Sequence, residues 1–242
     1  MLSLPPVIGH RGARNHAPEN TLAGIREAHR QGARWVEVDV KLTRDGHPVL
    51  MHDATLERTT NGRGPVRERD LDEILRLDAG AWFSPGFAGE RVPMLEQALA
   101  LCAELGLGIN LEIKPCPGRA AETARVAIER AGPLWAGRPV LVSSFEHECL
   151  EEVLRRAPDW PTGFLFEGRP GDWRETARRL GVATLNVEGA SDRHAIREYV
   201  DFGLPVLTWT VNDVARAREL LAFGVASVIT DEPGTMLSAL AG

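Results

Sequence analysis

This 242-residue chain has only three cysteines, two lysines, few aromatic residues and no long apolar run, and each shortage excludes something. Cys102, Cys116 and Cys149 are odd in number and lack C-x-x-C spacing, which argues against a disulfide framework and for a reducing compartment. No apolar run approaches the roughly 20 residues that a membrane-spanning helix needs. The first strand-like run starts near Val7, so no signal peptide is expected ahead of it. A soluble, cytoplasmic protein without membrane insertion is the expectation. Net positive charge is also missing: 28 basic against 34 acidic residues leave a formal charge of −6. That balance argues against a nucleic-acid partner, whose phosphates require a basic surface. An anionic substrate must then be attracted by a local cluster of cations.

The most informative stretch that is present is Val36-Glu37-Val38-Asp39-Val40-Lys41-Leu42, in which apolar and charged residues alternate strictly. Side chains two apart on a strand share a face, so Glu37 and Asp39 point one way and the valines the other. Asn110-Leu111-Glu112-Ile113-Lys114 repeats the design. The only two lysines, Lys41 and Lys114, both fall on these acidic strands, which makes at least one of them a functional candidate. Two strands that carry acids and lysine on one face suggest a shared pocket for a metal and a phosphate.

Strand-like and helix-like segments alternate along almost the whole chain. Apolar, β-rich runs fall near 7–9, 35–42, 108–113, 139–143, 162–166, 183–187, 204–209 and 225–229, with amphipathic helical patterns at 19–31, 94–105, 119–131, 146–156, 172–180, 191–202, 212–222 and 232–240. Alternating units imply a parallel sheet with helices outside it, and eight of each predict a (β/α)8 TIM barrel. A doubly wound sheet is the alternative, but Gly9-His10-Arg11-Gly12 is not the glycine fingerprint such a fold usually carries. The whole chain, 1–242, reads as one domain. Residues 53–92 break the rhythm with a polar, Gly- and Pro-rich segment that holds a short helical piece near Leu71–Leu77. An insertion of this length after the second strand reads as a cap on the active-site face.

Four groups then fall where a barrel places its active site: His10-Arg11, Glu37 with Asp39, His52-Asp53, and Glu112 with Lys114. Three carboxylates from neighbouring strands are hard oxygen ligands suited to Mg²⁺ or Ca²⁺. Two histidines can act as general base and general acid, and Arg11 and Lys114 are phosphate-binding types. His16, His29, His47, His147 and His194 read as ordinary surface or core histidines. The combined set suits cleavage of a phosphate ester.

The same residues carry a family resemblance. His10-Arg11-Gly12 with Pro18-Glu19-Asn20-Thr21, Glu37-Val38-Asp39-Val40, His52-Asp53 and Leu111-Glu112-Ile113-Lys114-Pro115 resemble the glycerophosphodiester phosphodiesterase family. The likeness continues through Thr55–Gly62, Ser144-Phe145, Trp209-Thr210-Val211-Asn212 and Thr230-Asp231-Glu232-Pro233, and so covers nearly the whole chain. It implies a TIM barrel with an insertion after the second strand, and metal-dependent hydrolysis of substrates such as glycerophosphocholine and glycerophosphoethanolamine to glycerol 3-phosphate and an alcohol. By resemblance, Glu37, Asp39 and Glu112 bind Mg²⁺ or Ca²⁺, and His10 and His52 form the acid/base pair. Arg11 and Lys114 hold phosphate oxygens, Glu19 or Asn20 supports the site, and Phe145 and Trp209 line the substrate pocket. A lysophospholipase D-type enzyme is the nearest alternative and would need an acyl groove, for which Trp82, Phe83 and Phe87 are the candidates. A non-catalytic phosphate-binding barrel is the other, although no acid or histidine of the set is lost. Lys41 has no role by resemblance.

Overall fold

A computed structural model describes residues 2–241 of the chain. Its first strand, β1 (Val7–Gly9), leads into helix α1 (Leu22–Arg30), followed by β2 (Trp35–Leu42) and the short β3 (Pro48–Leu50). The insertion contributes one short α-helix, α2 (Leu71–Ile74), and two 3-10 turns, Val66–Glu68 and Pro85–Phe87. Regular alternation then resumes with α3 (Leu95–Leu105), β4 (Gly108–Ile113), α4 (Ala120–Trp135), β5 (Val140–Ser144) and α5 (His147–Arg156). It continues through β6 (Thr162–Phe166), α6 (Trp173–Leu180), β7 (Thr184–Glu188) and α7 (Arg193–Asp201), and ends with β8 (Val206–Trp209), α8 (Val214–Ala222), β9 (Ser227–Thr230) and α9 (Pro233–Leu240).

Eight of these strands run parallel in the order β1-β9-β8-β7-β6-β5-β4-β2, and β1 pairs with β2 to close the ring. With helices between successive strands this is the (β/α)8 barrel that the alternation predicts. β3 stands outside the ring and pairs antiparallel with the end of β2, Lys41 opposite Val49.

Local chemistry explains where the elements begin and end. The expected helix at 19–31 starts only at Leu22, because the Thr21 side chain accepts the Gly24 N–H and caps it there. Pro18-Glu19-Asn20 is thereby left in a loop at the mouth of the barrel. The helical piece expected over 71–77 stops at Ile74, although Asp70 and Glu73 form a capping box at its start.

The alternation in β2 sorts side chains as expected. Val36, Val38 and Val40 pack outward with Ile109, Leu111 and Ile113 of β4 against α3 and α4, in the largest buried apolar cluster. Trp35 points inward, with Ile8, Leu141, Leu207 and Ile229 around it. Gly108 gives its indole room, since a Cβ there would lie 2.3 Å from the ring. The barrel floor is thus plugged, and the charged residues of β2 and β4 occupy the layers above it. The insertion closes on its own small core, in which Leu56, Val66, Ile74, Ala79 and Val92 pack with Val49, Met51 and Cys116.

Candidate active site

Strand register brings the acids together. In the parallel pairing of β2 with β4, Glu37 lies opposite Asn110 and Asp39 opposite Glu112. Glu37, Asp39 and Glu112 therefore share the inner face, each with a carboxylate oxygen within 4.8 Å of the others. All three are buried. Glu37 Oε1 and Asp39 Oδ1 have no hydrogen-bond partner. Burial, then the charge of Asp39, raises Glu112 to about 7, and burial with the charges of Asp39 and Glu112 raises Glu37 well above the usual carboxylate range. Burial works against ionised Asp39 too, but Arg11, His52, Lys114 and the Asn20 amide outweigh it, so its pKa is lowered. Buried, converging anions with unsatisfied oxygens are the arrangement a divalent cation neutralises, and the all-oxygen donor set fits Mg²⁺ or Ca²⁺.

The turn after β1 frames this cluster. Arg11 and Asn20 both adopt left-handed backbone, at φ 50° and 55°. Such a conformation is tolerable for asparagine and costs a residue such as arginine on the order of 1–3 kcal/mol. In return the Arg11 N–H donates to Glu37 Oε2 at 3.0 Å, and the Asn20 N–H donates to the Arg11 carbonyl at 3.1 Å. Gly12 follows at φ 91°, where a Cβ would lie 2.4 Å from the backbone of α1. The Asn20 side chain brackets Asp39, donating to Oδ2 at 2.7 Å and accepting the Asp39 N–H at 3.0 Å.

Cations flank the acids. The Arg11 guanidinium donates to Glu19 at 2.6 Å, and its Nε lies 3.1 Å from Asp39. Lys114 Nζ donates to Glu112 at 2.7 Å and sits 5.1 Å above the Phe145 ring. Burial disfavours its charge, but Glu112 and Asp39 overcome this and raise its pKa. The other lysine has a different place. Lys41 is buried, donates to the Lys114 carbonyl at 2.7 Å, and is lowered in pKa chiefly by burial. It steadies the strand end from which Lys114 projects and does not line the cavity.

Each of the two histidines is backed by a carboxylate. His10 Nδ1 lies 2.6 Å from Asp231 Oδ1, and His52 Nδ1 lies 2.6 Å from Asp53 Oδ1. A proton on Nδ1, donated to the carboxylate, leaves Nε2 with its lone pair. His10 Nε2 lies 4.0 Å from Glu37 Oε2. Burial lowers both histidines below their ordinary value, more strongly than Asp231 and Asp39 respectively raise them, which favours neutral imidazoles near pH 7.

His10, Arg11, Glu37, His52, Glu112, Lys114, Phe145 and Trp209 surround one cavity of about 130 Å³, together with Asn110, Leu165, Glu167, Thr210 and Ile229. Phe145 and Trp209 form its aromatic wall edge to face, 5.5 Å between centroids. Glu19 and Asn20 are not in the lining; they bear on it through Arg11 and Asp39. The residues that sequence reasoning left without a role are Asp231, Asp53, Arg14 and Arg58. Asp231 was visible as an acid just beyond the last strand, but only closure of β9 onto β1 places it beside His10.

Comparison with known proteins agrees with this geometry. The profile of the glycerophosphoryl diester phosphodiesterase family matches residues 10–235. A glycerophosphodiester phosphodiesterase of Caldanaerobacter subterraneus is 34% identical over 96% of each chain. A phosphodiesterase of Oleispira antarctica, solved in complex with its product sn-glycerol 3-phosphate, is 36% identical and superposes with a TM-score of 0.95 over 99% of this chain and 98% of that one. The glycerophosphodiester phosphodiesterase of Agrobacterium tumefaciens is 29% identical, with a TM-score of 0.80 over 98% of this chain and all of its own. With its family profile, its closed barrel and its acid-histidine cavity in agreement, the chain belongs to the glycerophosphoryl diester phosphodiesterase family.

Proposed function

We propose that the protein hydrolyses glycerophosphodiesters with small alcohols, glycerophosphocholine and glycerophosphoethanolamine among them, to glycerol 3-phosphate and the free alcohol. The observation that carries this reading is one cavity lined by Glu37, Glu112, two carboxylate-backed histidines and two cations, with the buried Asp39 carboxylate converging on Glu37 and Glu112 within 4.8 Å. Glu37, Asp39 and Glu112 would hold Mg²⁺ or Ca²⁺. When bound, the divalent cation supplies Lewis-acid stabilisation of the charge on the phosphoryl oxygens. Arg11 and Lys114 bind the non-bridging oxygens alongside it, a preorganised field that strengthens as charge develops in the transition state. One histidine accepts at Nε2 the proton of the attacking oxygen as the new P–O bond forms, whether that oxygen is water or the glycerol 2-hydroxyl; in the second case water then opens the cyclic phosphate to glycerol 3-phosphate. The other must enter this step as the imidazolium, a form that a bound anionic phosphate favours, and it donates its Nε2 proton to the alcohol oxygen as the old P–O bond breaks. Phe145 and Trp209 pack against the organic part of the substrate and help to exclude water. The insertion caps this face of the barrel.

In the insertion Phe83 packs edge to face against both Trp82 and Phe87, and none of the three lines the cavity. A small polar alcohol therefore suits the site better than a lysolipid. Among the described residues no helix is long and apolar enough to cross a membrane. The three buried, unpaired cysteines suit a reducing compartment, and we assign the protein to the cytoplasm. The direct test is release of glycerol 3-phosphate from glycerophosphocholine and its lysolipid counterpart, with Mg²⁺, Ca²⁺ or EDTA. Release from glycerophosphocholine is expected with metal, with loss in EDTA and recovery on adding the cation back. Full activity in EDTA contradicts the metal assignment, and no release from any glycerophosphodiester contradicts the substrate class.

A further inference from the structure

The two histidines are joined by more than the cavity between them. Asp53, which holds His52, receives the Arg58 guanidinium through two N–H groups, Nε at 2.6 Å and Nη2 at 3.0 Å. The same guanidinium donates to both oxygens of Glu19, at 2.7 Å and 2.8 Å. Glu19 is buried and also accepts Arg14 Nε at 3.0 Å. Arg14 reaches on with Nη1 to Asp231 Oδ2 at 3.4 Å, and Asp231 holds His10. An unbroken line of side chains with alternating charge thus runs His52–Asp53–Arg58–Glu19–Arg14–Asp231–His10. Arg58 belongs to the insertion, whereas Glu19 and Asp231 belong to the barrel.

We infer that Arg58 is a positioning residue for catalysis: it fixes Asp53, and through it the His52 ring, by clamping Asp53 to the buried Glu19. The inference rests on the catalytic role proposed above for His52. A planar guanidinium can present paired N–H groups to two carboxylates at once, whereas an ammonium is a single point of charge. The Arg58 side chain is 39% exposed. An isolated ion pair at that exposure contributes little to stability, whereas a bidentate pair within a network can contribute more. Four short contacts to two acids are more than such a surface arginine needs, and what they do define is the rotamer of Asp53. Arg58 does not line the cavity, so its loss acts on turnover and leaves substrate binding nearly intact. Arg14 plays the matching part for His10 more weakly, because Asp231 keeps a 2.8 Å bond from the Asn212 amide.

The test uses the full chain with its metal and glycerophosphocholine. Arg58→Ala is expected to lower kcat by about 10–100-fold with little change in KM, the usual size for loss of a group that orients a catalytic one. Arg58→Lys should recover little of this, and added guanidinium should restore part of the turnover of Arg58→Ala without stimulating the wild type. Arg14→Ala should lose less. A second readout needs no turnover: in ¹⁵N-histidine spectra, Arg58→Ala should shift His52 from its Nδ1–H form toward a tautomer mixture while His10 stays nearly unchanged. Wild-type kcat in Arg58→Ala, a change confined to KM, or a lost kcat that guanidinium fails to restore beside an unaltered His52 spectrum would overturn the inference. If the wild type itself cleaves no glycerophosphodiester, the proposed function fails, and the His52 spectrum still decides whether Arg58 orients the ring.

Discussion

The half of the barrel made by β9, β1, β2 and β4 and the half made by β5 to β8 bury polar groups in opposite ways. In the first, His10, Arg11, Glu37, Asp39, Lys41 and Glu112 are charged or titratable side chains withdrawn from water. In the second, the buried polar residues are neutral: Ser143, Ser144, Thr162, Thr184, Asn186 and Thr208. On the barrel strands the unpartnered atoms follow the same division, carboxylate oxygens of Glu37 and Asp39 on one side, and Thr162 Oγ1, Asn186 Nδ2, Thr208 Oγ1 and Trp209 Nε1 on the other. An unpaired hydroxyl costs a folded protein far less than a buried anion, which is tolerable only when cations or a ligand share the site. The first half therefore gives up stability for chemistry. The second compensates with apolar packing, where Phe166, Trp173, Tyr199 and Phe202 pack ring on ring between β6, α6 and α7.

Substitutions that touch one half alone sharpen this division. In the charged half, His10→Ala or His52→Ala should lower turnover by about 10²–10⁴-fold, the span of general acid–base catalysis, with little change in melting temperature. Steady-state kinetics beside thermal unfolding checks this, and full activity in either variant removes that histidine from the acid/base pair. In the apolar half, Trp173→Ala should do the reverse. Trp173 is fully buried, with ring centroids 5.1 Å from Tyr199 and 5.0 Å from Phe202. Its truncation should cost about 3–5 kcal/mol of folding stability. Specific activity of the folded fraction should stay unchanged, because Trp173 does not line the cavity. A Trp173→Ala protein that is stable but inactive would show that the halves are not separable.

The two halves also differ in how far a sequence discloses them. The barrel was legible because each unit repeats a period, 2 in the strands and 3.6 in the helices, and because the polarity of β2 is too regular to be accidental. Glu37, Asp39 and Glu112 could be grouped because strand alternation and parallel register are local rules. Asp231 could not be paired with His10, since their meeting depends on closure between the first and last strands. The role of Arg58 was equally hidden: its partners Glu19 and Asp53 lie in loops, where no period predicts which way a side chain turns. Lys41 shows the converse failure. Alternation put it on the acidic face correctly, yet the Lys114 carbonyl just past the end of β4, which it binds, sets its task.

The smallest of these effects is a pH dependence, and it measures directly what the charged half gives up. Glu112 is raised from an ordinary 4.5 to about 7, by burial first and the charge of Asp39 second. The folded protein therefore holds this proton over a range where the unfolded chain has released it. Stability from Glu112 is complete below its unfolded value and is lost as pH rises through its folded value, about 1.4 kcal/mol for each unit between them. For a shift of this size the loss is on the order of 3 kcal/mol near pH 8 without metal. His10 and His52 act oppositely below their ordinary 6.5, because burial lowers them and acid must charge them. The informative quantity is thus the difference between Glu112→Gln and wild type. Urea midpoints in EDTA should coincide near pH 4 and diverge toward pH 8, with the glutamine protein the more stable. Adding Ca²⁺ should stabilise the wild type and leave the variant largely unmoved, because the cation restores what the third carboxylate costs. A variant less stable than wild type at pH 8 in EDTA would mean that Lys114, 2.7 Å from Glu112, compensates that carboxylate in full. The charged half would then be no weaker than the apolar one.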